Sequence, residues 1–208
     1  MTVNEINGLP EEVGKSIPSD EKIYWVGKPN WKSFSYQAFG IRYLLIYFLI
    51  CALYSVSKIE MVFSFSIFVT NYIPFLVSGL LAGAILIIIA YLEAKHTVYV
   101  ITERRIVIRT GVALVFLLNA PFKKIISIDR QTLSQGQGNI SFRTDSRKRI
   151  PYLSCWPSVR PWSFLLPSPA FRSIPDIAAV EIIIADLAAL NLENKGIKEK
   201  SGNDGVAA

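Results

Sequence analysis

The stretch NYIPFLVSGLLAGAILIIIAYL, residues 71–92, ends a run of 32 uncharged residues that starts at Met61. A membrane-spanning helix needs about 20 predominantly apolar residues at about 1.5 Å each. The run is therefore longer than one crossing needs and too short for two crossings with a turn. A second uncharged run, YLLIYFLICALYSVS, covers residues 43–57. Neither run has the polar face that a buried hairpin of a soluble core would show, so we predict transmembrane helices at 38–57 and 72–93.

The residues between the two spans, 58–71, are predicted to form a short loop outside the cytoplasm. Within it, MVFSFSIFVT (61–70) is compatible with an interfacial piece, a re-entrant piece or an extra turn of helix before Pro74. Lys and Arg number five in residues 1–42, one in the loop and thirteen in residues 95–172. The positive-inside rule then places both termini in the cytoplasm.

The composition of the 208-residue chain narrows the class of protein further. Hydrophobic residues make up 51% of the chain and charged residues only 18%, whereas about a quarter of a typical soluble domain is charged. The length allows one domain plus a small membrane part and excludes a large multidomain enzyme. The net charge of +6 suits an anionic membrane surface or a nucleic acid. Cys51 and Cys155 are far apart, so no disulfide framework is indicated.

Beyond the second span the sequence changes to short segments typical of β-strands, which we assign to one domain over residues 94–155. The candidate strands are TVYVIT (97–102), IVIR (106–109), VALVFLL (112–118), FKKIISID (122–129) and NISFRT (139–144). A further candidate, KIYWVG (22–27), lies before the first span, within the N-terminal segment 1–37. If it pairs with the later strands, the two spans form an insertion in one antiparallel β-barrel or sandwich. The number of membrane crossings must then be even.

Residues 156–175 are rich in Pro and Trp, and we predict an extended strap there because proline excludes a helix or a central strand. Residues 176–193 follow as one amphipathic helix. Its apolar positions share one stripe at helical spacing: Ile177, Val180, Ile184 and Leu187. The tail, 194–208, is rich in Lys, Glu and Gly and is predicted to be disordered. Several strands closed by one C-terminal helix are typical of a pleckstrin-homology-like (PH-like) domain.

The sequence offers little material for catalysis. The single histidine, His96, stands at the end of the second span, where an interfacial polar residue is the simplest interpretation. Gly136 and Gly138 have no strand–helix context and no Lys-Ser/Thr beside them, so a hairpin turn is favoured over a phosphate-binding loop. A Ser/His/Asp or Cys/His set cannot be assembled around a histidine at the bilayer face. We therefore expect a protein that is not an enzyme and that holds no cofactor or metal.

Basic residues of the β-domain lie on the side of the membrane that carries anionic lipid head groups, where each contributes on the order of 1 kcal/mol of attraction. The residues concerned are Arg104, Arg105, Arg109, Lys123, Lys124, Arg147, Lys148 and Arg149. The alternative is that they only determine topology and solvate the surface. Nucleic-acid binding is disfavoured, because a membrane tether restricts access to the same charges.

The segment YLSCWPSVRPW, residues 152–162, is the most distinctive stretch of the chain. Two Trp, an Arg and two Pro in a rigid extended segment are typical of a protein-recognition surface. The residues that would contact a partner are Trp156, Pro157, Arg160, Pro161 and Trp162. The alternative is a structural strap that packs its Trp side chains onto the β-domain. Both interpretations hold together if one ring anchors the segment while the other projects.

Several motifs, in this order, resemble a known family. EKIYWVGKPNW (21–31) is followed by two spans, by TVYVITERRIVIRTGVAL (97–114) and by GQGNI (136–140), as in bacterial PH-like domains. LNAPF (118–122) and WPSVRPW (156–162) narrow the resemblance to the PuhB family of photosynthetic complex assembly proteins of purple bacteria. The resemblance covers roughly residues 9–192.

The resemblance implies a non-catalytic factor that helps to build the photosynthetic reaction centre and its core light-harvesting antenna. It implies a location in the cytoplasmic or photosynthetic intracytoplasmic membrane, subunits of those complexes as partners, and self-association. The spans would then lie beside nascent helices, and Gly79, Ala82 and Gly83 would permit close approach. The competing hypothesis is a PH-like membrane protein that binds lipid head groups or peptides without a link to photosynthesis.

Overall fold

The computed structural model describes residues 9–57, 65–112, 114–145, 152, 156–161, 163 and 167–203. The helices are α1 (Glu11–Ser16), α2 (Trp31–Ala38), α3 (Ile41–Ser57), α4 (Phe65–His96) and α5 (Ile177–Asn203). The strands are β1 (Ile23–Gly27), β2 (Val98–Thr102), β3 (Arg105–Thr110), β4 (Phe116–Pro121), β5 (Ile125–Thr132), β6 (Gly138–Thr144) and β7 (Ala170–Ile174).

The strands form two antiparallel sheets, in the order β1-β2-β3-β4 and β5-β6-β7. Within the described part of the chain no ladder joins the two sheets, so the domain is an open sandwich and not a closed barrel. Antiparallel sheets with a C-terminal helix were expected from the sequence. Periodicity does not distinguish a barrel from a sandwich, because it carries no information on whether two sheets are joined by strand pairing.

One core lies between the two sheets and α5. Tyr99, Ile101 and Ile106 of the first sheet meet Phe142 and Phe171 of the second, and all five are fully buried. The stripe predicted on the C-terminal helix covers the same core with Ile177, Val180, Ile184 and Leu187. Burying each large aliphatic or aromatic side chain stabilises the fold by about 1.5–3 kcal/mol.

The outer face of the first sheet is covered as well. Val98, Val100 and Val107 form a second apolar cluster with Val13 of α1. Because β2 has neighbours on both faces, all five of its residues are buried and its sequence is apolar without alternation. The short helix α1 has too few residues to show a period, and the sequence did not reveal it.

The helices α2, α3 and α4 are an insertion between β1 and β2. β1 pairs with β2 antiparallel, with Val26 opposite Val100 and Gly27 opposite Tyr99. The chain therefore leaves the first sheet after residue 27 and returns to the same place at residue 98. If the inserted helices enter a membrane, the chain therefore enters it and leaves it on the same side.

The observed helices differ in extent from the predicted spans. The predicted span 38–57 is helix Ile41–Ser57, because the chain bends by 55° between α2 and α3, where Gly40 adopts a φ of +61°. The predicted span 72–93 is helix Phe65–His96, so residues 65–70 are an extension of the helix before Pro74. Among the described helices, α4 is by itself long and apolar enough to cross a membrane, over Val69–His96. Helices α2 and α3 are long and apolar enough only if the bent pair is counted as one span.

The C-terminal third departs from the prediction at two places. A strand, β7, lies inside the predicted strap 156–175, since Pro169 and Pro175 flank the strand and none of its own residues is proline. Helix α5 continues to Asn203, so residues 194–203 are helical rather than disordered. Lys and Glu are good helix formers, and extending an existing helix needs no new nucleation.

Candidate functional site

The first part of the strap, residues 156–161, is held in the fold by the residues at its centre. Residues 157–159 are buried, and Val159 forms an isolated antiparallel bridge with Pro169. The backbone N–H of Arg160 donates to the carbonyl of Ser168 at 2.9 Å. These bonds hold the strap against the segment that leads into β7.

A buried ladder of hydroxyl groups ties the strap to the end of α4. The Ser158 hydroxyl lies 3.3 Å from the phenol oxygen of Tyr99 and 3.4 Å from the hydroxyl of Thr110. The Thr110 hydroxyl lies 3.4 Å from that of Thr97, the residue that follows α4. Burial raises the pKa of Tyr99, and the hydrogen bond from Ser158 partly opposes this rise. The ladder keeps four polar groups satisfied inside the domain.

Arg172 of β7 joins the strap to α2. It is 3% exposed, and its guanidinium donates to the carbonyls of Val159 and Gln37, each at 2.9 Å. Its backbone N–H donates to the Tyr99 phenol oxygen at 3.1 Å. Burial lowers the pKa of Arg172, while Tyr99 acts in the opposite direction. A buried guanidinium held by carbonyls of two separate segments fixes their relative position.

Trp156 lies at the bend between α2 and α3. Its ring packs edge-to-face on Phe39, with the ring centroids 4.8 Å apart, and 37% of the residue stays exposed. Phe39 in turn packs against the fully buried Phe34 of α2. Trp156 thus contacts the base of the apolar helices, and part of its surface stays exposed. Trp162, the second ring of the motif, lies outside the described residues.

Arg160 and Pro161 form the exposed end of the segment 156–161. The Arg160 guanidinium lies 2.6 Å from a carboxylate oxygen of Asp129 on β5, which Arg143 approaches to 3.8 Å. All three side chains are about half exposed, so the pair contributes at most about 1 kcal/mol to stability. Of the five predicted partner-binding residues, the structure leaves Trp156, Arg160 and Pro161 accessible, whereas it buries Pro157.

The predicted basic surface is divided by the fold. Arg109 is 8% exposed; it faces Glu12 of α1 and donates to the carbonyl of His96. Arg105 pairs at 3.1 Å with Glu21, which is itself buried. The pKa of Glu12 is lowered by its own backbone N–H and by Arg109. Arg109 is buried and Arg105 is partly exposed, and each is held in an ion pair within the domain, so neither is a freely solvated charge. Their role at a membrane surface stays a prediction.

Three other predicted basic residues, Arg104, Lys123 and Lys124, lie at the far end of the first sheet, whereas Arg147, Lys148 and Arg149 lie outside the described residues. Arg104 is in the turn after β2, and the carbonyl of Arg104 accepts from the N–H of Phe122, beside Lys123 and Lys124. The four steps from Val98 to the end of β2 correspond to roughly 13 Å. The three exposed cations therefore do not surround the end of α4. Their attraction to anionic lipid stays a prediction.

The small residues of α4 serve packing inside the chain. A Cβ added at Gly79 would lie 3.0 Å from the side chain of Phe48 on α3, and one at Gly83 would lie 4.0 Å from Leu45. Both glycines are buried, and Ala82 is half-buried beside them. The prediction that this stripe receives a partner's helix is corrected, because α3 already covers it.

Sequence reasoning missed Phe39, Tyr99 and Arg172. Arg172 carries a signal that could have found it, since a lone charge inside the apolar segment AFRSI favours a buried, hydrogen-bonded role. Phe39 and Tyr99 carry none, because their contacts depend on the packing of distant segments. Among the described residues no group of three or more His, Cys, Asp or Glu side chains could hold a metal ion.

Comparison of the sequence with known proteins found a matching family model and a similar protein. Residues 48–188 match the family model described as the bacterial PH domain. Over 178 residues the chain is 30% identical to an uncharacterized 23.7 kDa protein in the puhA 5′ region of Rhodobacter capsulatus. That alignment covers 85% of this chain and 83% of the relative.

Among solved structures, the chain is similar to a DUF1696 family protein with a pleckstrin-homology domain from Shewanella loihica PV-4. The sequence identity is 10% and the TM-score is 0.39. The match covers 90% of this chain and 98% of the other.

Proposed function

The chain belongs to the bacterial PH domain family, and from this premise we propose that it is a non-catalytic membrane factor in the assembly of the photosynthetic reaction centre and its core antenna. The observation that carries the proposal is the relative in the puhA 5′ region, a photosynthesis gene region, which aligns over most of both chains. The resemblance of the LNAPF and WPSVRPW motifs to the PuhB family supports the same role.

The proposed attachment is a hairpin of α3 and α4 in the membrane. Only 17% of the most apolar window of α4 is buried, whereas the core helix of a soluble protein is mostly buried. Both helices expose large apolar side chains, among them Leu49, Leu53, Leu80 and Ile88. Water would solvate such a surface poorly, and a bilayer of about 30 Å accommodates it.

The pairing of β1 with β2 supports an even number of crossings. Both strands lie in one sheet, one before and one after the inserted helices. The distribution of Lys and Arg supports a cytoplasmic location of that sheet and of both termini. The bend of 55° between α2 and α3 lets α2 lie along the membrane surface while α3 enters it.

The proposed partner surface is the exposed end of the strap together with the bend. Trp156, Arg160 and Pro161 are held on a rigid backbone by the buried residues between them. An aromatic ring and a guanidinium on a rigid segment are typical of residues that dominate binding energy in protein interfaces. Cytoplasmic parts of reaction-centre and antenna subunits are the proposed partners, and homo-oligomers are a further proposal.

The test is the near-infrared absorption spectrum of membranes from a strain that lacks this chain. We expect reduced absorption of the reaction centre and core antenna, restored when the intact gene is returned. Transcript levels of the pigment-protein subunits serve as the control for an indirect effect. An unchanged spectrum, in a host without a second copy, would contradict the assembly role and leave a PH-like protein of another function.

A further inference from the structure

The turn between β3 and β4 is apolar and exposed. Val112, Leu114, Val115 and Phe116 are 44%, 71%, 41% and 37% exposed. Turns that face water are usually built from Gly, Pro, Asn, Asp and Ser, because these residues hydrogen-bond or adopt turn dihedrals without exposing apolar surface. The sequence assigned the run 112–118 to a strand, so this turn was not expected.

The base of this turn is bonded to the last turn of α4. The N–H of Gly111 donates to the carboxylate of Glu93 at 3.2 Å, and Val98 lies opposite Arg109 in the ladder. Side chains of a helix tilt toward its N-terminus, so the Glu93 carboxylate points back along α4 toward the apolar part of the helix. The turn therefore lies beside the end of α4 and not beyond it.

Aromatic side chains lie at the same level on α2 and α4. Trp31 of α2 packs edge-to-face on Tyr91, two residues before Glu93, with ring centroids 5.9 Å apart. Both rings are more than a third exposed. Trp and Tyr are enriched where a helix passes through the membrane–water interface. This pair marks the level of the interface on α4, and the turn lies at that level.

We propose that the β3–β4 turn, of which residues 111, 112 and 114–116 are described, enters the interfacial region of the bilayer that holds α4. The inference rests on the proposed membrane hairpin and adds a second, separate lipid contact. Its occupant is lipid and not a protein, because Ile89, one helical turn before Glu93 on the same face of α4, is apolar and 41% exposed. Two separate contacts with the bilayer, one by the hairpin and one by the turn, fix the tilt of the PH-like domain relative to the bilayer.

The turn can be probed with an environment-sensitive dye on a single cysteine. The full chain, with Cys51→Ser and Cys155→Ser, receives Leu114→Cys, is labelled with NBD and is reconstituted in vesicles of phosphatidylcholine and phosphatidylglycerol. Quenching by doxyl-labelled lipid reports contact with acyl chains, and quenching by iodide reports contact with water. Val112→Cys is the second variant if the first does not insert.

Two positions of similar exposure serve as matched controls. Ile126 is 66% exposed and lies at the start of β5, at the end of the domain away from α4. Leu80 is 69% exposed and lies in the middle of α4. We expect doxyl lipid to quench the dye at residue 114 several-fold more than the dye at residue 126. We expect the dye at residue 80 to be quenched in the same way.

The controls separate failure of this inference from failure of the proposed function. If residue 80 is quenched by lipid and residue 114 behaves like residue 126, the turn does not touch the bilayer, whereas the hairpin stands. If residue 114 is shielded from both quenchers, a protein surface covers the turn and the inference is overturned. If residue 80 itself is open to iodide, the membrane hairpin is wrong and this inference falls with it.

Discussion

Gly111 occupies a position that only glycine fits. Its φ is +99°, and a Cβ there would overlap the carbonyl oxygen of Leu114 in the same turn. A backbone conformation that L-residues rarely adopt costs about 1–3 kcal/mol. We therefore expect Gly111→Ala to lower the free energy of unfolding by at least that amount, measured by thermal or urea unfolding of the detergent-solubilised chain.

The matched control at this scale is Gly14→Ala. Gly14 is in α1, its added Cβ meets nothing within 4 Å, and its backbone is helical. Alanine at a compatible helical position raises stability by about 0.4–1 kcal/mol. If Gly111→Ala is as stable as the unchanged chain, the turn has a different conformation from the one described.

Single residues also show why the ion pairs of Arg105 and Arg109 were not predicted from the sequence. Arg105 and Arg109 look like solvated charges in the sequence, because their partners, Glu21 and Glu12, are more than 80 residues away. A local pattern carries no information about such pairs. Leu187 and Val180, whose partners are also distant, were assigned correctly, since helical periodicity marks a buried face whatever covers it.

At the scale of elements, the contact between α3 and α4 depends on a small residue. Gly79 lets Phe48 approach to the backbone of α4. A larger side chain there overpacks the contact, which typically costs about 1–3 kcal/mol. We expect Gly79→Leu to lower the unfolding temperature in detergent. Ala84→Leu is the control, because Ala84 is exposed on α4 and the same side chain fits there without displacing α3.

An equal effect of the two substitutions would mean that α3 does not lie on Gly79. The glycine stripe would then again be free for a helix of another subunit. Cross-linking between the solubilised chain and reaction-centre subunits, with and without Gly79→Leu, would detect that alternative.

The elements predicted best from the sequence have either a clear hydrophobic periodicity or clear residues that end them. The sequence of β6 alternates between polar and apolar residues, β1 ends at Gly27, and α5 carries an apolar stripe. The run 112–118 has neither alternation nor a polar turn residue after Gly111, so its first half was assigned to β4 although it forms the turn. The site is harder to predict than the fold, since Trp156, Phe39 and Arg172 meet only through tertiary packing.

At the scale of the whole molecule, the strap links the PH-like sandwich to the inserted helices. Arg172 holds the strap carbonyl of Val159 and the α2 carbonyl of Gln37 with one guanidinium. Trp156 adds a ring contact to the bend at Phe39. A partner bound at Trp156, Arg160 and Pro161 would therefore act on a rigid unit that includes the base of the inserted helices.

This arrangement predicts different effects for two substitutions of Trp156. Trp156→Phe keeps an aromatic ring on Phe39 and should keep the strap in place, whereas Trp156→Ala removes the exposed ring that a partner would contact. With an affinity-tagged chain, we expect Trp156→Ala, alone or with Trp162→Ala, to reduce recovery of reaction-centre and antenna subunits several-fold at unchanged abundance in the membrane. Loss of abundance would make the ring a structural element only, and unchanged recovery with both tryptophans removed would exclude the strap as the partner surface.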